Sequence, residues 1–290
     1  MKYRIGIDSG GTHIVARGFD SQGKCLKEAT AGVGNIFLDA QATISNLVQV
    51  INELTSALGK EDCTKILIGI AGLETSGNAA AVTAELESKL QLKVQLVSDA
   101  KLALINGLHG QDGTLVIAGT GSIVYGTNQN QTYRFGGWGN LLDDVGSGYQ
   151  IAITAIKLAL RKYDEGRTTS LGQLLMRLAA VTTMPALVKK CYDSTREQIA
   201  AFAKEIAHLA ETDSLAKQAL DEQADALAAE VIGLLNRYKE PIPTQLALSG
   251  SVLVNNAQFR QRLLQQVMQS YPQIDAHIVN NNNSCAVLYI

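Results

Sequence analysis

The sequence predicts an α/β protein with parallel strand pairing, built as two successive units of which the second is rich in helix. Strand-like and helix-like segments alternate over the first hundred residues. Within them, a strand at 66–71, a helix at 76–90 and a strand at 94–97 form a βαβ crossover, which pairs its strands in parallel. The opening order of segments starts again near residue 114, which suggests an internal duplication.

The first unit opens with three strand-like segments and an amphipathic helix. Apolar runs at 3–8, 15–20 and 25–30 are separated by turn residues, as in a meander. Apolar residues then recur at steps of three and four from 39 to 58, which predicts a helix with one buried stripe.

The second unit repeats the meander and continues into helices. Strands are predicted at 114–118, 122–127 and 132–135. Helices are predicted between 147 and 238, followed by a strand at 245–248, a helix at 256–270 and a strand at 276–279.

No low-complexity linker separates the units, so we expect a tight hinge near 107–113. The first domain is then expected at 1–108, joined by the tail at 281–290, and the second at 109–280.

Composition limits the function. The chain has 290 residues, of which 46% are hydrophobic and 18% charged, as in a well-folded protein. Its net charge of −2 gives no general attraction to nucleic acid or to an anionic membrane, so neither is expected as a partner. No secretion signal or long apolar segment is evident, so we expect a cytoplasmic location. Cys25, Cys63, Cys191 and Cys285 lack ligand or disulfide spacing and are expected to be buried thiols.

Three strands run directly into loops of glycine and hydroxyl residues. These loops are Gly10-Gly11-Thr12 after Asp8, Gly119-Thr120-Gly121-Ser122, and Gly250-Ser251. Such loops expose backbone N–H groups without a bulky side chain, as close approach to a phosphate requires. Asp8 beside a phosphate would require a cation, and Mg²⁺, usually held through water, fills that role. Each loop alone is also typical of a hairpin turn or a helix N-cap.

The standard nucleotide signatures are absent. Neither GxxxxGK[ST] nor GxGxxG after a strand occurs, so the phosphate loops must be of another kind.

Asp99 is the candidate catalytic residue. It follows the predicted strand at 94–97 and opens a helical segment. At the carboxyl end of a parallel strand, a carboxylate can accept a hydroxyl proton, as phosphoryl transfer to an alcohol requires. The structural alternative is a helix N-cap.

Three further residues lie in glycine-rich segments. Asp144 follows Asp143 and either binds a ligand or caps the helix predicted from Ser147. Trp138 is the only tryptophan, and its flanking glycines remove the packing neighbours that a core tryptophan would use. Asn35 lies in another glycine loop, where a turn role is the alternative.

Five motifs follow one another along the chain: IGIDSGGT at 5–12, SDA at 98–100, AGTGS at 118–122, GGWG at 136–139 and DVGSGY at 144–149. In this order they resemble the N-acetylglucosamine kinase and BadF/BadG/BcrA/BcrD ATPase family. The resemblance implies the fold of the sugar kinase, Hsp70 and actin superfamily, with two RNase H-like (actin-like ATPase) domains and a cleft between them.

The resemblance also implies residue roles. The phosphates of ATP would be held by Gly10, Gly11 and Thr12 and approached from the second domain by Gly119, Thr120, Gly121 and Ser122. Asp8 would face Mg²⁺, and Gly250 and Ser251 match the adenosine motif. Sugar hydroxyls would contact Asn35, Asp99 and Asp144, with Asp99 as the base. The N-acetyl sugar would lie at Gly137, Trp138 and Gly139.

Two segments depart from the family pattern. The chain has Asp143 and Val145 where the family usually has Gly and Glu, and an asparagine run at 280–283 where a Gly and Ala-rich helix start is expected.

The predicted function is an ATP-dependent kinase of an amino sugar, foremost N-acetylglucosamine at its 6-hydroxyl. The alternatives are a kinase of glucosamine or another hexosamine, and a non-kinase ATPase of the BadF/BadG type. Scattered cysteines argue against a cluster-carrying activator, and the lack of a helix-turn-helix before the first strand argues against a repressor. The oligomeric state, a homodimer included, is left open.

Overall fold

The computed structural model describes residues 1–290 and contains two compact units. The first comprises Met1–Gln111 and Asn281–Ile290, and the second comprises Asp112–Asn280. Each unit has its own five-stranded sheet.

The first unit is a mixed sheet with helices. Its strands are β1 Tyr3–Ser9, β2 Ile14–Phe19, β3 Cys25–Ala31, β4 Cys63–Ile70 and β5 Gln95–Ser98. Its helices are α1 Ala40–Leu58, α2 Leu73–Ser76, α3 Ala79–Leu90 and α4 Asp99–Leu108, with 3₁₀ turns at Lys60–Asp62 and Asn283–Tyr289. The strand order is β3-β2-β1-β4-β5, and β1, β4 and β5 pair in parallel. The predicted parallel crossover is therefore confirmed.

Local chemistry explains the helix boundaries in this unit. Asp39 caps α1 by accepting a hydrogen bond from the Ala42 amide at 2.9 Å. The helix predicted at 76–90 begins instead at Ala79, because Gly77 takes a left-handed conformation (φ 64°) and separates α2 from α3.

The chain end packs on the centre of the first sheet. A Cβ atom at Gly6 of β1 would lie only 1.8 Å from the Ser284 carbonyl oxygen, so the tail can lie there only because residue 6 is glycine. The last ten residues thus belong to the first unit, next to the carboxyl end of β1.

The second unit repeats the sheet and adds helices. Its strands are β6 Gly113–Ala118, β7 Ser122–Asn128, β8 Gln131–Phe135, β9 Gln245–Ser249 and β10 Asp275–Ile278. Its helices are α5 Gly148–Asp164, α6 Ser170–Leu178, α7 Met184–Asp193, α8 Arg196–Ala200, α9 Phe202–Leu209, α10 Ser214–Leu235, α11 Ser251–Asn255 and α12 Ala257–Ser270. The order β8-β7-β6-β9-β10 matches that of the first sheet, which supports the expected duplication.

The expectation that all four cysteines are buried is wrong. Cys25 is exposed because it begins β3, an edge strand that presents much of its length to solvent, and Cys63, Cys191 and Cys285 are half-buried. None of the helices combines the length and the hydropathy that a membrane span requires.

Candidate functional site

In the first unit, two candidate carboxylates lie at the carboxyl edge of the parallel strands. Asp8 pairs with Gly69 of β4, and Gly69 pairs with Val97 of β5, two residues before Asp99. This edge is where open α/β sheets bind ligands. The fold thus brings Asp8 and Asp99 to the same edge, although 90 residues of sequence lie between them.

The first glycine loop is fixed by backbone hydrogen bonds at Gly10 and is open to solvent at Gly11. The Gly10 amide donates to the His13 carbonyl oxygen at 3.0 Å, and the Gly34 amide donates to the Gly10 carbonyl oxygen at 2.9 Å. A Cβ atom at Gly11 would have no neighbour within 4 Å. The amides of Gly11 and Thr12 donate to no protein acceptor. Two N–H groups are therefore available to an anion at this loop.

Asp8 is held by the chain's tail. The Asn283 side-chain amide donates to Asp8 Oδ2 at 3.2 Å, and the buried Asn106 amide donates to Asn283 Oδ1 at 3.3 Å. Burial raises the pKa of Asp8, Asn283 opposes this rise, and the charge of Asp99 adds to it. A carboxylate in this position favours a bound cation, so Asp8 fits the predicted role beside Mg²⁺.

Asp99 is not the cap of its helix. Ser98 caps α4, because its hydroxyl oxygen accepts from the Lys101 amide at 3.2 Å and the hydroxyl itself donates to Glu74 Oε1 at 2.6 Å. The Asp99 carboxylate accepts the Ala100 amide at 2.9 Å through Oδ1 and also interacts with its own backbone N–H group. The cap alternative is therefore wrong, and no other side chain donates a hydrogen bond to this carboxylate.

The surroundings of Asp99 suit a proton acceptor. The residue is exposed, so a substrate can reach it. Partial burial of the carboxylate nevertheless raises its pKa, the Ala100 amide opposes this, and the charge of Glu74 adds to the rise. Water still reaches the group, which limits the size of the shift.

Asn35 combines a turn role with a free donor. Its Oδ1 accepts the amides of Phe37 and Leu38 at 3.0 and 3.2 Å, so the turn alternative holds for this oxygen. Its backbone pairs with Ala71, just beyond β4, which places Asn35 at the same sheet edge as Asp8. Its side-chain N–H groups donate to no protein acceptor and can donate to a hydroxyl group.

In the second unit, the second glycine loop is tied to the start of α5. The Gly148 amide donates to the Gly119 carbonyl oxygen at 2.7 Å, and the Gly119 amide donates to the Gly121 carbonyl oxygen at 2.8 Å. The amides of Thr120 and Gly121 have no protein acceptor. Ser122 is different, since its buried hydroxyl donates to a backbone carbonyl oxygen at 2.7 Å. It supports the loop from below.

The third loop lies against the second. Gly250 has a φ of +90°, and a Cβ atom there would be 2.3 Å from the Ala118 carbonyl oxygen. A Cβ atom at Gly119 would be in ordinary van der Waals contact with the Ser251 amide nitrogen, at 3.8 Å, so the two loops are neighbours. The close approach to Ala118 requires glycine at position 250.

A cavity of about 1080 Å³ opens beside these two loops and lies wholly within the second unit. Its lining includes Gly119, Thr120 and Ser251, together with Lys204 and His208 of α9. This volume is ample for a nucleoside.

The Trp138 loop presents its aromatic ring to solvent. Trp138 is 66% exposed, which rules out the core alternative. The Arg134 guanidinium lies 4.1 Å from the centre of the ring, and it also donates to the carbonyl oxygens of Gly136 and Gly137 at 3.1 and 2.6 Å. The ring is therefore an ordered platform at the surface.

Asp144 is buried beneath this loop. Its Oδ1 accepts the Gly139 amide at 3.1 Å, and its Oδ2 lies 3.9 Å from the Arg196 guanidinium. Burial raises the pKa of Asp144, and Gly139 and Arg196 oppose the rise. The cap alternative is wrong here too, since Ser147 caps α5. Asp144 has a left-handed backbone (φ 61°), which few non-glycine residues adopt.

Four polar residues around these sites were not predicted to have a role: Glu74, Arg196, Glu230 and Asn283. Glu230 alone left a clear signal, because it falls three residues after Leu227 on the buried stripe of α10, where an apolar residue is expected. The other three reach their partners only through tertiary packing.

Comparison with known proteins identifies a family and similar sequences. The model of a family described as the BadF/BadG/BcrA/BcrD ATPase family matches residues 5–281. An N-acetylmuramic acid/N-acetylglucosamine kinase from Clostridium acetobutylicum is 30% identical, covering 100% of this chain and 98% of that protein. An N-acetyl-D-glucosamine kinase from Dictyostelium discoideum is 28% identical, covering 95% and 92%.

Solved structures share the fold. A crystal structure from Chromobacterium violaceum superposes with a TM-score of 0.71 at 22% identity, covering 99% of this chain and 98% of that one. A ROK family glucokinase from Streptomyces griseus, in complex with glucose and AMPPNP, gives a TM-score of 0.58 at 16% identity, covering 99% and 97%.

Proposed function

The chain belongs to the BadF/BadG/BcrA/BcrD ATPase family, which confirms the predicted resemblance, and from this we propose that it is an ATP-dependent kinase of amino sugars. The substrate we propose is N-acetylglucosamine, phosphorylated at its 6-hydroxyl. Both full-length relatives carry the name of an N-acetylglucosamine kinase, and the glucosamine kinase of Vibrio cholerae is 28% identical over 57% of this chain.

The observation that carries the proposal is the state of Asp99. The Asp99 carboxylate lies at the carboxyl edge of parallel strands and is exposed, Ser98 rather than Asp99 caps the helix, and no other side chain donates a hydrogen bond to the carboxylate. A general base for an alcohol needs such an accessible acceptor. In the proposed reaction, Asp99 orients the sugar 6-hydroxyl and takes its proton as the oxygen attacks the γ-phosphorus in line, and the bond from the γ-phosphorus to the bridging oxygen breaks to release ADP.

The proposed phosphate contacts come from unpaired amides. In the first unit these are the N–H groups of Gly11 and Thr12, which Gly10 holds in place through its own two backbone hydrogen bonds. In the second unit they are the N–H groups of Thr120 and Gly121, held by the start of α5. Such N–H groups stabilise charge that develops on the transferred phosphoryl group.

Asp8 is the proposed contact of Mg²⁺, through water. No three His, Cys, Asp or Glu side chains cluster in a way that would ligate the ion directly. When bound, Mg²⁺ would neutralise negative charge on the phosphate oxygens. Asn283 orients the Asp8 carboxylate for this contact.

The proposed nucleoside site is the cavity beside Gly119 and Ser251. The proposed sugar contacts are Asn35 and Asp99 in the first unit, and Asp144 with the loop of Gly137, Trp138 and Gly139 in the second. The exposed Trp138 ring suits the apolar face of a sugar or of its acetyl group.

The test is ADP release with a panel of sugars. Purified protein, ATP and Mg²⁺ are assayed with N-acetylglucosamine, N-acetylmuramic acid, glucosamine, glucose and no sugar. We expect ADP release to depend on an amino sugar, with the highest kcat/KM for N-acetylglucosamine. Equal ADP release with and without every sugar would refute the kinase and favour a BadF/BadG-type ATPase.

A further inference from the structure

One face of α10 supports the whole segment from Gly136 to Gly146, here called the tryptophan loop. A Cβ atom at Gly136 would lie 2.3 Å from Glu230 Oε2, so the loop starts directly against the Glu230 carboxyl group. At its end, the Gly146 amide donates to Gln223 Oε1 at 2.8 Å, and a Cβ atom there would meet Leu227 at 2.7 Å. Steps of four and three place these α10 residues on one face.

Glu230 is a buried acid without a cationic partner. It is 9% exposed, and its Oε2 has no hydrogen-bond partner. No Lys, Arg or His forms an ion pair with it. A buried carboxylate in this situation is costly, whereas a protonated carboxyl group can donate a hydrogen bond.

Asp143 of the tryptophan loop is the acceptor within reach. Its side chain lies within hydrogen-bonding reach of the Glu230 carboxyl group, and two carboxyl groups can form such a bond only when they share a proton. Asp143 Oδ2 also accepts the Trp138 amide at 3.3 Å. The Asp143 carbonyl oxygen accepts the Gln150 side-chain amide at 2.8 Å. A continuous set of contacts thus leads from α10 to the exposed ring.

We propose that Glu230 is a positioning residue: its protonated carboxyl group donates to Asp143 and holds the tryptophan loop in the conformation that receives the sugar. The inference rests on the proposed function only for the identity of the ligand as a sugar, since the loop and its proton can be measured without any substrate. Loss of the proton, released to solvent, leaves two carboxylates facing each other and frees the loop.

The charged groups around Glu230 determine the direction of the effect. From the tryptophan loop, Asp143 and Asp144 face it with negative charge. From β8, the Arg134 guanidinium is engaged by the Gly136 carbonyl oxygen and the Trp138 ring. Burial first, and then these two aspartates, raise the pKa of Glu230 to about 8. The contact between protonated Glu230 and Asp143, here called the clamp, is therefore formed at neutral pH and lost in mildly alkaline solution.

Trp138 provides a direct probe, because it is the only tryptophan in the chain. Its emission is followed in the wild-type protein from about pH 6 to about pH 9.5, below the ordinary range of tyrosine ionisation. We expect one transition centred near the Glu230 pKa of about 8. Glu230→Gln keeps a donor of the same shape and should abolish the transition. Asp143→Asn removes a negative neighbour and should shift it to lower pH.

The matched control is Glu222→Gln, on the same helix but exposed, which should keep the wild-type transition. Circular dichroism at about pH 7 verifies that each variant is folded. A flat wild-type emission curve, or a transition that persists in Glu230→Gln, would overturn the clamp.

Steady-state kinetics test the link to the sugar. If only the protonated clamp binds sugar, the wild-type KM for the sugar rises about tenfold by about pH 9, while Glu230→Gln stays level. The KM for ATP should change equally in both proteins. A fluorescence transition with no matching change in sugar KM would overturn the role in sugar binding. A protein that phosphorylates no sugar at all would refute the proposed function and leave the fluorescence result to decide the clamp.

Discussion

Replacing Asp99 by asparagine removes the proposed base and preserves the local structure. The asparagine side chain can still accept the Ala100 amide through its Oδ1, as Asp99 does at 2.9 Å. The helix cap is unaffected because it belongs to Ser98. The fold and the glycine loops should therefore be intact, and the change isolates proton transfer.

The expected loss follows from the role of the carboxylate. General-base catalysis by a positioned side chain contributes about 10² to 10⁴ in rate, which corresponds to about 3–5 kcal/mol of activation free energy. The raised pKa of Asp99 also fixes a pH dependence. A base must be unprotonated, so wild-type kcat/KM falls as pH drops through this pKa, at higher pH than for an ordinary aspartate. The variant should lack this acidic limb.

The assay couples ADP release to NADH oxidation, with ATP affinity measured separately by calorimetry. Asp99→Asn should lower kcat about 10²- to 10⁴-fold and change the Kd of ATP by less than about threefold. The matched control is Asp213→Asn, since Asp213 caps α10 by accepting the Ala216 amide at 2.9 Å and asparagine is an equally good cap. Turnover of Asp99→Asn within about threefold of wild type would remove Asp99 from the mechanism.

Three further outcomes are expected. Gly250→Ala should destabilise the second unit by about 2–5 kcal/mol in urea unfolding, because strain at φ +90° adds to a 2.3 Å contact. Gly166→Ala, at φ +73° with no atom within 4 Å of the added Cβ, should lose only the stability that backbone strain costs. Equal losses of stability in the two variants would contradict the contribution of the contact at Gly250. Asn283→Ala removes the hydrogen bond that opposes the raised pKa of Asp8, and it should increase the half-saturating Mg²⁺ concentration about tenfold. An unchanged Mg²⁺ requirement would show that Asp8 does not face the ion. Glu230 keeps its proton up to about pH 8 in the folded protein, whereas its ordinary pKa is 4.5. Between pH 4.5 and about pH 8, the unfolding free energy of the wild type should therefore fall by up to roughly 1.4 kcal/mol per pH unit relative to that of Glu230→Gln. Parallel pH profiles of the two proteins would contradict this.

The elements of the fold could be predicted because their signals are local. Alternation and three-to-four spacing of apolar residues located the strands and helices such as α1 and α12, and the βαβ spacing predicted parallel pairing. Residues 147–238 were predicted as helical without a division into α5 to α10. The helix predicted at 76–90 is an exception. Its pattern hid the left-handed Gly77, which ends α2 three residues after it begins.

The candidate site could be predicted only where the chain itself carries the chemistry. The first glycine loop and Asp99 both follow strands of the first sheet, so their place at one edge of that sheet follows from topology. Whether Asp99 or Ser98 would cap α4 was undecidable from sequence, since both are good caps and the choice depends on the position of Glu74 in space. The contacts of Asn283 and Arg196 could not be predicted from sequence for the same reason, because their partners lie 275 and 52 residues away along the chain.

The most direct measurement is the product itself. After reaction of the protein with ATP, Mg²⁺ and N-acetylglucosamine, phosphorus NMR with proton coupling identifies the phosphorylated hydroxyl, and ADP is quantified in the same sample. We expect one equivalent of N-acetylglucosamine 6-phosphate for each ADP. ADP formed without any phosphorylated sugar would contradict the proposed kinase activity.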